Sequence, residues 1–314
     1  MNSRLQQVID LVRDVGDNVV MPLFQKVARQ QKDDGSVLTE ADLAAQTALE
    51  AGLKTIVDCP LVGEEMTAEQ QQKSWDAGAN GLWCVDPIDG TSNFVSGLPQ
   101  FAISVAYMQH GRPLLAVIYA PATHEMFYAE ASKGAYLNSD SLEKARLPLL
   151  SGVIGLKQAI AEIDFKRLPK NLALALAVNP PFHSQRNYGS SVLDWCYLAA
   201  GRFDLYLHGS QKLWDYAAAC LILQEAGGHM RTLTNENFWA GDPWVSRPSA
   251  CLQPQAKPRR LSPDSLPVPG NGRRKGPLAL SQRQLSSLSS APPLISQLPS
   301  GLLRYLLPAS PVHG

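Results

Sequence analysis

Asp86-Pro87-Ile88-Asp89-Gly90-Thr91 is the stretch whose reading decides the fold. The run before it, Gly81-Leu82-Trp83-Cys84-Val85, is short and apolar and predicts a buried strand. Pro87 has no N–H and is expected to end the ladder there. Two carboxylates therefore stand just past a strand end, on a backbone forced to turn. Gly90 bends without a Cβ clash, and Thr91 adds a hydroxyl and an amide at the start of the next segment. Hard oxygen ligands beside amide donors suit Mg²⁺ and a phosphate together. A D-x-x-D-G turn is often no more than a solvated bend, so the rest of the chain has to arbitrate.

Three further acidic positions extend the set. Leu61-Val62-Gly63-Glu64-Glu65 is a second short apolar run ending in carboxylates. Thr39 reads as a helix N-cap with Asp42 at N3, near the positive end of a helix running to about Asp58. Asp215 follows Leu213-Trp214 and opens a helix that stops at Gly227-Gly228. Taken singly, Asp42 and Asp215 are most simply capping residues and Glu65 a surface charge.

Together these motifs make the chain resemble the inositol monophosphatase family of Mg²⁺-dependent, Li⁺-sensitive phosphomonoesterases. The likeness runs from Lys32 to Trp244. It takes in Lys32-Asp33-Asp34-Gly35-Ser36, Thr39 to Asp42, Gly63-Glu64-Glu65, Asp86 to Phe94, Gly189-Ser190-Ser191, Leu213-Trp214-Asp215 and Glu225 to Gly228. The resemblance implies that Glu64, Asp86, Asp89, Asp215 and the Ile88 carbonyl hold Mg²⁺. It implies that Glu64 and Thr91 activate the attacking water, with Asp42 hydrogen-bonded to that threonine. Gly90 and Thr91 would cradle the phosphate. Gly189, Ser190 and Ser191 would approach the substrate, which Asp89 and Asp215 would also reach. Glu65, beside a ligand, has no assigned role.

The chemistry explains why such a set is needed. Phosphate monoester dianions repel hydroxide and hydrolyse extremely slowly on their own. Metal ions lower the pKa of a water and neutralise the non-bridging oxygens, while turn amides supply preorganised donors. The expected mechanism is direct in-line attack by a metal-held water, with no covalent intermediate. One departure concerns specificity: His208 stands where the family carries a glutamate that binds substrate hydroxyls. An imidazole cannot copy a carboxylate accepting from two hydroxyls. Rival readings are a same-fold phosphatase for fructose 1,6-bisphosphate, histidinol phosphate or a nucleotide 3′-phosphate, and a weakly catalytic regulatory or binding module. Asn93-Phe94 after Gly90-Thr91-Ser92 leans towards the inositol phosphatase branch. The D-x-x-D spacing argues against a haloacid-dehalogenase phosphatase, which would need D-x-D.

Composition fits an enzyme of small molecules. The 314 residues suffice for a large core. Residues 1–244 carry 19 Lys/Arg against 27 Asp/Glu, which argues against nucleic-acid binding by the body. The cysteines (59, 84, 196, 220 and 251) show no paired spacing, and Cys84 and Cys220 are expected in the core. No apolar run is long enough to cross a bilayer and no secretory signal is evident, so cytoplasm is the expected location.

The expected architecture is layered α+β. A first amphipathic helix runs to about Val27. Consecutive antiparallel strands follow at 101–109, 113–120 and 126–130, with turns at His110-Gly111-Arg112 and Ala122-Thr123-His124. Leu172 to Val178 reads as a buried strand, Ser190 to Ala200 as a helix and Phe203 to Leu207 as a strand. The resemblance implies a five-layer αβαβα sandwich like that of the inositol monophosphatases and fructose-1,6-bisphosphatases, often a homodimer. The expected divisions are an α+β sub-domain with the metal site (1–146), an α/β sub-domain completing it (147–244) and a tail (245–314). The tail holds 9 Lys/Arg against 1 Asp, and 12 of its 70 residues are proline. It lacks periodicity and reads as disordered, where the family would add one more strand and a closing helix. A frameshift or unrelated extension, or a basic arm for an acidic partner or anionic membrane, are the readings weighed for it.

Overall fold

Leu5, Val8, Ile9, Val12 and Val15 recur at helical spacing and line the buried face of α1 (Ser3–Val15). The helix stops there, short of the expected Val27. Gly16–Val20 forms a π-turn and Met21–Leu23 a 3-10 turn containing Pro22, whose missing N–H cannot continue an α-helix. The computed structural model describes residues 3–31, 37–139, 145–147, 155–233, 238–239 and 243–252. Lys32 to Ser36, and everything beyond Leu252, lie outside that set.

A small ribbon of β1 (Gln30–Gln31) and β2 (Val37–Leu38) leads into α2 (Glu40–Ile56). The next strands build a seven-stranded sheet in sequential order. They are β3 (Leu61–Gly63), β4 (Leu82–Asp89), β5 (Ala102–Gln109), β6 (Arg112–Ala120), β7 (Glu125–Glu130), β8 (Ala135–Ser139) and β9 (Ala145–Arg146). Only the β3–β4 pair is parallel; the rest is an antiparallel meander. The meander expected from the sequence is therefore present, with His110 (φ 48°) and His124 (φ 54°) in its turns. Two short helices interrupt it: α3 (Ala68–Ala77), with a Thr67/Gln70 capping box, and α4 (Thr91–Ser96).

The second sheet has the order β11-β10-β12-β14-β13. Its strands are β10 (Ile160–Ile163), β11 (Ser184–Arg186), β12 (Leu205–Gln211), β13 (His229–Thr232) and β14 (Arg247–Leu252). Strands β10, β11 and β12 are mutually parallel, whereas β14 runs antiparallel between β12 and β13. The tail expected to be structureless from 245 thus supplies the strand next to the sheet's centre. Pairing on both edges outweighs the weak strand signal of Arg-Pro-Ser-Ala-Cys-Leu.

The second correction is α5 (Lys170–Val178), read from sequence as a buried strand. Leu and Ala are strong helix formers, and no β-branched residue occurs before Val178. The segment lies outside the small sheet with Leu174 and Val178 exposed. Between the sheets lie α6 (Ser191–Ala199) and α7 (Leu213–Ala226), apolar nearly all round because each is covered on both sides. The layers are α1/α2, large sheet, α6/α7, small sheet and α5, the αβαβα sandwich. Separate cores fill the spaces between them, and Cys84 and Cys220 sit in the central one. Glu225 fixes the end of α7 by accepting from Ser132 N–H and Gly134 N–H, each at 2.7 Å. Among the described residues, no helix is long and apolar enough to cross a membrane.

Candidate metal centre

The β3–β4 pair delivers the first carboxylates. Glu64 follows β3 and its N–H bonds the Val85 carbonyl at 3.3 Å, so it lies beside Asp86 on the neighbouring strand. The β4–β5 ladder does not end at Pro87. It skips from Asp86↔Ser104 to Asp89↔Ala102, a bulge that bypasses the missing N–H. The kink holds Asp86 and Asp89 in reach of one another. Asp86 Oδ1 accepts from Ile88 N–H at 3.1 Å. Asp89 Oδ2 is clamped by Ser190 Oγ–H at 2.5 Å and Val192 N–H at 2.9 Å, from the start of α6. Asp215, at N3 of α7, accepts from Lys212 N–H at 2.8 Å.

Oxygens of Asp86, Asp89 and Asp215 all lie within 4.8 Å of one another. Three carboxylates so close repel each other and are costly to ionise in a protein interior. Burial, then the charges of Glu64, Asp89, Asp215 and Asp42, push Asp86 well above the usual carboxylate range. Burial also raises Asp89, to about 6 against the pull of its Ser190 and Val192 bonds. Asp215 is raised by burial, then by Asp89 and Glu64. Asp86 is 1% exposed and its Oδ2 has no hydrogen-bond partner among the described residues. A buried, unpaired carboxylate oxygen facing two more carboxylates fits a hard divalent cation.

The next residues shape the neighbouring surface. Gly90 has φ +88°, and a Cβ there would come within 2.8 Å of Gln100 O. Its carbonyl takes the Asn93 and Phe94 amides, opening α4. Thr91 Oγ1 lies 3.0 Å from Ile88 O and 3.3 Å from Asp42 Oδ1. Asp42 Oδ2 meanwhile accepts from Thr39 N–H at 2.7 Å and from Thr39 Oγ1–H at 2.6 Å. Gly189 (φ +75°) is held by Asn93, whose amide donates to Tyr188 O and Gln100 O, each at 2.6 Å.

The structure brings Asp86, Asp89, Asp215 and Glu64 together, with Thr91 and Asp42 alongside. It turns some other candidates inwards. Ser190 is fully buried and spends its hydroxyl on Asp89. Ser191 Oγ lies 3.3 Å from Tyr206 OH and accepts from Gln211. His208 is buried between Asp164 and Ser210. Glu65 docks by its amide on Gln46 Oε1 at 3.2 Å. Sequence reasoning missed Arg167, whose positive charge opposes in small part the rise of Asp89 and Asp215. It also missed Glu162 and Asp194, a buried carboxyl pair beneath the site. No local spacing marks any of the three.

An αβαβα sandwich with an acidic cluster drawn from its large sheet and central helices defines the class. The chain belongs to the inositol monophosphatase family, whose model matches residues 2–262. It is 32% identical over 229 residues to the fructose-1,6-bisphosphatase/inositol-1-monophosphatase of Thermotoga maritima, covering 72% of this chain and 83% of that protein. It is 33% identical over 232 residues to Nus factor SuhB of Pasteurella multocida, covering 73% of this chain and 84% of that one. The solved Thermotoga maritima IMPase superposes with a TM-score of 0.66 at 29% identity, over 79% of this chain and 91% of that chain.

Proposed function

We propose that this chain hydrolyses phosphate monoesters in a Mg²⁺-dependent reaction. The observation that carries the reading is the convergence of Asp86, Asp89 and Asp215, where an oxygen of the buried Asp86 has no hydrogen-bond partner among the described residues. These three, with Glu64 and the Ile88 carbonyl, would hold the cation. Bound there, Mg²⁺ would lower the pKa of a water and offset charge on the phosphoryl oxygens. Thr91 directs its hydroxyl proton towards Asp42 or Ile88, which leaves its oxygen lone pairs to accept from an attacking water. Glu64 takes that water's proton. A new P–O bond forms to the water oxygen as the ester P–O bond breaks, giving inorganic phosphate and an alkoxide that leaves as the alcohol on taking a proton from solvent, to which Glu64 returns its own. The amides at Gly90 and Thr91 bind the phosphoryl oxygens throughout.

The test is phosphate release from a panel of polyol, sugar and nucleotide phosphates, with and without Mg²⁺ and with Li⁺ as inhibitor. Activity on some members that is lost in Glu64→Gln is the expected result. A folded sample that binds Mg²⁺ and releases phosphate from none would overturn the reading. It would favour the weakly catalytic regulatory or binding module instead.

A further inference from the structure

Two peptide planes meet at the Cα of Glu64, and both are held by hydrogen bonds. In the plane before it, Gly63 O accepts from Gln71 Nε2–H at 2.9 Å while Glu64 N–H donates to Val85 O at 3.3 Å. Gln71 is buried on α3, so this plane is fixed between a helix and β4. In the plane after it, Glu65 N–H donates to Gln46 Oε1 at 3.2 Å. Peptide groups are planar, so fixing both planes fixes the direction in which the Glu64 side chain leaves the backbone.

Gln46 belongs to α2, four residues after Asp42. Residues at that spacing share a helix face one turn apart. Asp42 faces the Thr91 hydroxyl, and Gln46 takes the amide next to Glu64. One face of α2 is thereby bonded beside each of the two residues that handle the attacking water. The approach is close: a Cβ at Gly63 would come within 2.6 Å of Gln46 Oε1, so glycine there leaves room for the amide.

We propose that Gln46 is a positioning residue for Glu64. By accepting from Glu65 N–H it fixes the plane that aims the Glu64 carboxylate at the metal centre, and with Asp42 it sets the spacing between Glu64 and Thr91. The inference goes beyond the phosphatase reading and rests on it for the rate, whereas its metal-binding arm needs only the acidic cluster. A carboxylate displaced by a fraction of its reach loses both metal affinity and rate.

Gln46→Met keeps the length and helix preference of the side chain but removes the acceptor, and Gln46→Glu keeps an acceptor. On the ester that wild type hydrolyses best, Gln46→Met is expected to lower kcat about tenfold or more with KM little changed, and Gln46→Glu to restore most of that loss. Mg²⁺ binding, read by calorimetry without substrate, should weaken about tenfold in Gln46→Met. The same substitution placed in Glu64→Gln should change Mg²⁺ affinity little, because its effect runs through Glu64. A folded Gln46→Met with unchanged kcat and Mg²⁺ affinity would overturn the inference. Equal weakening of Mg²⁺ in both backgrounds, or a loss in Gln46→Glu as large as in Gln46→Met, would overturn it too. Gln46→Ala, also a good helix former, carries the same comparisons if Gln46→Met does not fold. Phosphate release from no ester by wild type would remove the phosphatase reading and leave the Mg²⁺ comparison to decide the role of Gln46 by itself.

Discussion

Asp42 Oδ1 stands 3.3 Å from Thr91 Oγ1, joining the first turn of α2 to the first residue of α4 across 49 residues of chain. The other oxygen of the same carboxylate caps α2 through Thr39. One side chain thus fixes a helix start and sets the direction of a hydroxyl proton. Thr91→Ala is expected to lower kcat by roughly 10²–10⁴-fold with a much smaller change in KM. Thr91→Ser should keep most of the rate. Asp42→Asn offers an amide where an acceptor is needed, so it should lower kcat too, and weaken α2 capping by about 1 kcal/mol. Steady-state kinetics and thermal melts separate the two effects.

The metal-free acidic cluster sets a pH dependence. The Asp89 carboxyl is raised from 3.8 to about 6. Between those values the folded chain holds more protons than the unfolded one, so metal-free stability falls as pH rises through that window. Mg²⁺ should reverse the trend, giving a rise in melting temperature that is larger at pH 7 than at pH 5. Asp86→Asn should raise the metal-free melting temperature, weaken the Mg²⁺ response and abolish turnover. Melting curves with and without Mg²⁺ at the two pH values check this.

Glu162 is fully buried in β10 and raised to about 8, by burial first and then by the charge of Asp164. Asp194 on α6 is also buried and raised, by burial and then by Glu162. The stability contributed by protonated Glu162 is fully present below pH 4.5, its ordinary value, and is lost as pH rises through about 8. Glu162→Gln keeps the shape without the ionisation. It should stabilise the protein at pH 8.5 relative to pH 5.5, by about 1–3 kcal/mol. Denaturant titrations at the two pH values read the difference, and equal effects at both would refute it.

Because β14 lies between β12 and β13, a chain ending at residue 246 loses an inner strand rather than a loose extension. Such a truncation should fail to give a cooperative unfolding transition, although every metal-ligand candidate precedes it. Circular dichroism and a melting curve suffice to check this.

Much of the fold could be read because its signals are local. Thr39 and Asp42 cap a helix, the meander alternates between apolar runs and tight turns, and Gly227 closes α7 with φ +92°. The Asp86 to Thr91 stretch was legible for the same reason: a strand, a proline, a glycine and two carboxylates lie within a few residues. What escaped depends on tertiary partners. Arg247 to Leu252 forms a strand because β12 and β13 each present an edge to it, not because of its own residues. Arg167 gains meaning only where β10 ends beside β12. The run at 172–178 misled because apolarity without alternation does not separate a buried strand from a helix that covers a sheet. His208 sits at the expected position, but its ring faces Asp164.

The place of β14 also bears on how the molecule comes into being. During synthesis β10, β11, β12 and β13 leave the ribosome first, yet β12 and β13 cannot be joined until the residues at 247–252 follow. Assembly of this layer therefore waits on a segment translated after its four other strands, and a nascent chain stalled before it would hold a finished meander beside two unzipped edges.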